Sequence, residues 1–178
     1  MDFLYGIKLF RSNSNTSNNS NIVVENNPEG PNSIFYGNNK SISLELSKDY
    51  GFKQYKPSNN YLLELRNENN LNIFITEENF IENKTLFEVV SADIKAYIEN
   101  FNQYSNLSNL TEFDRGGKPA YTYSFHYLDK NTNVAYYLQS MWIEYNNKYY
   151  IIDIEFPLDS LSENSKIIND ILNSLIIK

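Results

Sequence analysis

From Lys40 onward, apolar and polar residues alternate along most of the chain, at the period of a strand. Ser41–Leu46 sets Ile42, Leu44 and Leu46 on one face. Gly51–Tyr55 is a weaker candidate before Pro57. Tyr61–Arg66 and Leu71–Thr76 read as a hairpin around Asn67-Glu68-Asn69-Asn70. The second half predicts a four-strand meander, from Leu107–Arg115 through Ala120–Leu128 and Val134–Tyr145 to Lys148–Phe156. Gly116–Pro119, Asp129–Asn133 and Asn146-Asn147 are its turns, and Pro157 ends it. In the second of these strands Tyr121, Tyr123, Phe125 and Tyr127 share one face, and Thr122, Ser124, His126 and Leu128 share the other.

Two stretches carry helical periodicity instead. Thr85-Leu86-Phe87-Glu88 has the form of a capping box, with Ser91 as a second start. Phe87, Val90, Ile94, Tyr97, Ile98 and Phe101 then recur at spacings of three and four and predict one apolar face, fading by Ser105. A last helix is expected from Ser162 to the C-terminus, with Ile167, Ile168, Ile171, Leu172, Leu175 and Ile176 as its stripe. Its partner can only be the sheet. The predicted class is α+β, an antiparallel β-sheet flanked by helices, with no internal repeat.

The first 39 residues read differently. Met1–Phe10 is apolar but far shorter than the roughly 20 residues a membrane-spanning helix needs, and it lacks the pattern of a signal peptide. It suits a docking strand, a short amphipathic segment or the stub of a longer membrane segment. Arg11–Asn21 is a Ser/Asn run expected to be a flexible linker. Asn26–Asn39, with Pro28, Gly30, Pro31 and Gly37, reads as loop with a short extended piece near Ile34–Tyr36. The expected organisation is an apolar head and linker over 1–39 and a single domain over 40–178. That layout suits a domain tethered through its head, and equally a frayed terminus.

Several local stretches resemble the PsbP-like family. Ile42-Ser43-Leu44-Glu45-Leu46-Ser47-Lys48-Asp49-Tyr50 is similar to the family's first strand and following turn, with Ser47 where Pro is usual and Tyr50 where Trp is usual. Gly117-Lys118-Pro119-Ala120-Tyr121 resembles the Gly-x-x-Ala turn into its meander. Tyr149–Pro157 resembles its last strand, and Ile171-Leu172-Asn173-Ser174-Leu175 its closing helix. The resemblance covers Lys40–Lys178 and implies an α/β/α sandwich. It also implies a binding or assembly module, often outside the cytoplasm, in a family without shared catalytic residues.

Composition narrows the chemistry. Among 178 residues, 15 Lys and Arg stand against 22 Asp and Glu, a net charge of −7. Nucleic acid is therefore not an expected partner, since neutralising phosphates takes a surplus of basic residues. There is no cysteine and one histidine, so disulfides, thiolate nucleophiles and multi-histidine metal sites are excluded. Neither a metal nor a cofactor is expected. Asn and Ile are over-used and Ala is rare, the usage of an AT-rich genome, so the asparagines are not read as ligands.

His126 is the single candidate general base near neutral pH. It shares a strand face with Ser124, but strand neighbours point side by side and lack the oriented third group a nucleophile needs. Asp153 and Glu155 also share a face and read as an outer polar surface rather than an acid–base pair. Glu77, Glu78 and Glu82 lack the spacing of a calcium loop, and Gly116-Gly117 is a turn rather than a phosphate loop.

The 15 tyrosines are the most distinctive feature. Packing between sheet and helices accounts for them directly. The alternative is an amphipathic groove, for which the candidate binding residues are Tyr121, Tyr123, Tyr127, His126, Trp142 and Tyr149. The expected function is a non-catalytic binding or assembly protein at the bacterial cell envelope, holding another protein, with a membrane tether expected upstream of the linker. The alternative is a cytoplasmic chaperone or adaptor for a secreted or membrane-active client. A weak hydrolase ranks last.

Overall fold

The strand pattern closes into two antiparallel sheets. The computed structural model describes residues 22–23, 30–57, 61–100, 104–117, 119–129 and 132–178. The apolar head and the Ser/Asn run lie outside the described residues, as does Phe101.

The first half contains β1 (Ile22–Val23), β2 (Asn32–Tyr36), β3 (Ile42–Ser47), β4 (Lys53–Tyr55), β5 (Tyr61–Arg66), β6 (Asn72–Asn79) and α1 (Leu86–Asn100). The second half contains β7 (Tyr104–Ser105), β8 (Thr111–Asp114), β9 (Pro119–Asp129), β10 (Val134–Tyr145), β11 (Lys148–Pro157), α2 (Leu161–Ser174) and β12 (Ile176–Ile177). The large sheet runs β1-β4-β5-β6-β11-β10-β9, with β7 and β8 both pairing with the outer edge of β9. The small sheet runs β12-β3-β2.

Alternation divides the large sheet into two faces. Leu63, Leu65, Ile73, Ile75, Met141, Ile143, Ile152, Ile154 and Phe156 point to one side, against Phe35, Leu44 and Leu46 of the small sheet and Ile168, Ile171 and Leu175 of α2. The opposite face carries α1. The result is an α/β/α layering in which the small sheet shares its layer with α2. Among the described residues, no helix is long and apolar enough to cross a membrane.

Four expectations need correction. The boundary drawn at Lys40 leaves out β2, which pairs with β3 from Asn32↔Ser47 to Tyr36↔Ser43 and buries Phe35. The short extended piece expected near Ile34–Tyr36 is this strand, and what the flanking Pro and Gly residues concealed is that it belongs to the folded domain. The strand expected over Leu107–Arg115 shrinks to β8 at Thr111–Asp114, because Asn106, just after β7, takes a left-handed φ of 52° and the chain over 107–110 leaves the ladder. Ser108 bridges the gap, donating its N–H to the Ser124 carbonyl at 2.8 Å and accepting the Ser124 N–H at 2.8 Å. The last helix stops at Ser174, Leu175 is extended, and Ile176–Ile177 pairs with β3.

The fourth correction concerns α1. Its capping box forms as expected: Glu88 N–H donates to Thr85 Oγ1 at 3.2 Å, and Thr85 N–H donates to Glu88 Oε2 at 2.8 Å. The buried side, however, is Leu86, Val89, Val90 and Asp93, whereas Phe87 and Ile98 are exposed. The helix is apolar on two sides, and periodicity alone does not choose between them.

Candidate recognition surface

Three contacts lay α1 along β9 in the same direction. The Phe87 ring meets Tyr121 edge-on at 5.8 Å. The Tyr123 hydroxyl donates to Asp93 Oδ2 at 2.6 Å. The Tyr97 ring sits 5.0 Å from Phe125. Leu86, Val89 and Val90 press down on Leu138, Trp142, Tyr149 and Ile151.

This placement sorts the six candidate residues. Tyr123, Trp142 and Tyr149 are 2%, 2% and 1% exposed, and they pack beneath α1 rather than lining a groove. Burial, with Asp93, Tyr97 and Asp153 nearby, pushes the Tyr123 phenol well above its ordinary value. Tyr121 is half-buried at the helix margin, and its hydroxyl donates to Glu112 Oε2 at 3.0 Å. His126 faces the other side of the sheet, with Nδ1 3.0 Å from Asn106 Nδ2 and its ring 5.8 Å from Tyr137. Ser124, the nucleophile that pairing would need, has its backbone tied to Ser108. Tyr127 is half-buried beyond the helix.

Tyr127 belongs to a strip of sheet face beside α1, and strand register defines its rows. One row runs Tyr55, Glu64, Phe74, Asp153, Ser140 and Tyr123 across β4, β5, β6, β11, β10 and β9. The next runs Lys53, Arg66, Asn72, Glu155, Leu138 and Phe125. Tyr136 and Tyr127 form a third. The β9 ends of the first two rows lie under α1, while the remainder is a mixture of rings and charges.

The charges in the strip are engaged. Arg66 donates to Glu64 Oε1 from Nε at 2.9 Å and from Nη2 at 2.5 Å, and its guanidinium lies 5.4 Å from the Tyr55 ring centroid. The Tyr127 hydroxyl donates to Glu155 Oε2 at 2.6 Å. Glu64 and Glu155 are buried. The rings are more open: Tyr55, Tyr61, Phe74, Tyr127 and Tyr136 are all half-buried. Tyr127 stacks on Tyr136 at 5.5 Å, and Tyr61 lies 5.0 Å from Phe74. Burial, then the charges of Glu155 and Asp129, raises the Tyr136 phenol.

Large, stiff rings with polar tips, partly exposed above buried hydrogen-bonded charges, are the side-chain types enriched at protein interfaces. Among the described residues, no group of three or more acidic or histidine side chains is placed to hold a metal ion. Sequence reasoning overlooked Tyr55, Arg66 and Phe74. For Arg66 and Phe74 the signal is that each alternates with a core residue, Leu65 or Ile73, and so faces the side that α1 only partly covers, whereas Tyr55, beside half-buried Gln54, is placed there only by its pairing with Glu64.

No protein-family model and no curated protein matches the chain. Solved structures do. Cyanobacterial PsbP (CyanoP) from Synechocystis is 12% identical, covers 88% of this chain and 98% of its own, and superposes with a TM-score of 0.65. A protein of unknown function, PA94 from Pseudomonas aeruginosa, is 10% identical over 84% of this chain and 99% of its own, with a TM-score of 0.56. The Saccharomyces cerevisiae Ran-binding protein Mog1p is 10% identical over 82% of this chain and 95% of its own, with a TM-score of 0.54. The CyanoP match takes in more of the chain than the stretch from Lys40 onward can supply, in keeping with β2 as part of the fold. At these identities the likeness speaks for architecture alone, and that architecture is the PsbP-like fold.

Proposed function

We propose that this chain is a non-catalytic binding module of the bacterial cell envelope. In this reading it holds a protein partner on the strip beside α1. The observation that carries the reading is the set of aromatic rings on this face. Tyr136, Tyr127, Phe74, Tyr61 and Tyr55 stay half-buried among buried, hydrogen-bonded charges such as Glu64 and Glu155. Aromatic side chains offer large, stiff contact area at little entropic cost, which suits a protein interface. The fold also serves binding in one structural neighbour, the Ran-binding protein Mog1p.

The envelope placement rests on the Ser/Asn run between an apolar head and the folded region, a layout that suits a tethered domain. Fractionation of cells producing the full chain tests it, with the expected outcome being recovery with envelope material. Recovery only in the cytosol contradicts the placement.

Binding is tested by affinity capture with wild type, Phe74→Arg, Tyr136→Asp and His126→Ala. The expected result is one partner retained by wild type and His126→Ala and lost by the two strip variants, all four keeping wild-type circular dichroism. Loss with His126→Ala alone moves the site to the opposite face.

A further inference from the structure

Two buried polar groups on the α1 side of the sheet have no partner in the protein. Among the described residues, the Trp142 indole N–H and the Tyr149 hydroxyl are the buried side-chain groups left without a hydrogen bond. Trp142 is 2% and Tyr149 1% exposed, so bulk water does not reach them. Native folds rarely leave a buried donor unpaired, because its desolvation is then uncompensated. Here two such donors stand on neighbouring strands.

Register gives them shared surroundings. Trp142 pairs with Ile151, and Glu144 pairs with Tyr149. Trp142, Glu144 and Tyr149 therefore share one face of the β10–β11 hairpin. Tyr149 stands directly opposite Glu144, and Trp142 lies two residues from Glu144, on the diagonal from Tyr149. Glu144 is half-buried. Its charge is felt at the Tyr149 hydroxyl: burial raises that phenol first, the Ile81 backbone amide lowers it, and Glu144 raises it again. The carboxylate is thus the acceptor that the ladder sets beside both donors, yet it bonds neither. Phe80, Ile81 and Leu86 pack on the same cluster and help to close the patch from solvent. Buried donors beside an acceptor that they do not touch make the setting for a bridging water, which needs two to four polar partners.

We propose that this patch is an internal hydration site. Its ligand is ordered water that accepts from the Trp142 N–H and the Tyr149 O–H and donates to the Glu144 carboxylate. The row holding Glu144 and Tyr149 lies two same-face rows from the row of Ser140 and Asp153, so the site stands apart from the strip proposed to hold a partner.

Trp142 is the only tryptophan, so its indole N–H gives a single resolved signal in the 15N-labelled full chain. The expected result is a cross-peak between that proton and water, of opposite sign in laboratory-frame and rotating-frame spectra. That sign pattern marks a water held for longer than about a nanosecond and excludes plain proton exchange. The peak should persist in Tyr149→Phe, where no hydroxyl proton can relay it. It should weaken in Glu144→Ala, with a shift of the indole resonance.

Stability gives an independent sign. Tyr149→Phe keeps the ring and removes the hydroxyl. A hydrated hydroxyl is lost at a cost, so the urea midpoint is expected to fall, whereas removing an orphaned one would raise it. An absent water cross-peak in wild type overturns the proposal, and an indole shift in Glu144→Ala without that peak would mean direct contact instead. A midpoint that does not fall in Tyr149→Phe overturns it as well.

Discussion

The buried hydroxyl of Tyr123 donates to the buried carboxylate of Asp93 at 2.6 Å, thirty positions earlier in the chain. This bond sits midway along α1, between the Phe87–Tyr121 and Tyr97–Phe125 ring contacts. It fixes which line of the sheet the helix covers, and so which tyrosines are core and which stay half-open.

Tyr123→Phe keeps the ring and removes the bond to a charged acceptor. Such a bond is worth about 1.5–3 kcal/mol. Urea unfolding is expected to show a loss in that range with an unchanged slope. A variant as stable as wild type would mean that α1 is held by its apolar contacts alone.

The phenols make the fold sensitive to alkali. Tyr50 is pushed up to about 12, first by its hydrogen bond to Asp170, then by burial and the charges of Asp170 and Asp49. Tyr123 is raised well above its ordinary value of 10.0, chiefly by burial. Each keeps its proton in the native state at a pH where the unfolded chain has lost it. The unfolded state then binds fewer protons, so stability falls as pH rises. This contribution is full below about pH 10 and declines between about pH 10 and 12. Melting temperatures across that window are expected to fall for wild type and to fall less steeply for Tyr50→Phe. An equal slope in the two proteins contradicts the assignment.

Arg115 ties the β8–β9 turn to the end of α2. Its Nη1 donates to the Leu172 carbonyl at 2.5 Å and its Nη2 to that of Leu175. Carbonyls at a helix C-terminus have no partner within the helix, and a cation there also complements the helix dipole. Arg115→Ala is expected to cost about 2 kcal/mol. It should also speed amide exchange at Lys178, whose N–H donates to the Ser41 carbonyl at 2.8 Å. Arg115→Lys should not restore protection, because an ammonium cannot fork to two carbonyls. Full protection in Arg115→Lys would reduce the interaction to charge alone.

Thr85 begins α1 through its exchange of hydrogen bonds with Glu88. Thr85→Ala is expected to cost about 1 kcal/mol, the usual value of a lost N-cap. Thr85→Ser should retain most of it. If Ser91 served as the start instead, Thr85→Ala would be silent.

Much of this architecture is written in local pattern. The strands Tyr61–Arg66 and Val134–Tyr145 have the bounds that the sequence predicts, each run being closed by turn residues, although both faces of the second are core, with Met141 and Ile143 on one side and Leu138 and Trp142 on the other. The turn between β10 and β11 is legible in Asn146-Asn147, a pair that accepts the left-handed φ values of 49° and 57° found there. What escapes the pattern is decided by tertiary contact. β12 is two isoleucines that read as the end of a helix until β3 offers them a ladder. Alternation puts Tyr123 and Tyr127 on one face, but it does not say how far along β9 the helix reaches. The candidate surface depends on that reach, so alternation gives the face of Phe74 and Arg66 while their exposure follows only from where α1 lies.

Site-specific photocrosslinking in living cells tests the binding reading most directly. A benzophenone side chain is placed in turn at Tyr136, Phe74 and Lys166. The account predicts one shared protein adduct from Tyr136 and Phe74 and none from Lys166 on α2. No adduct at the two strip positions, or the same adducts from all three, would contradict it.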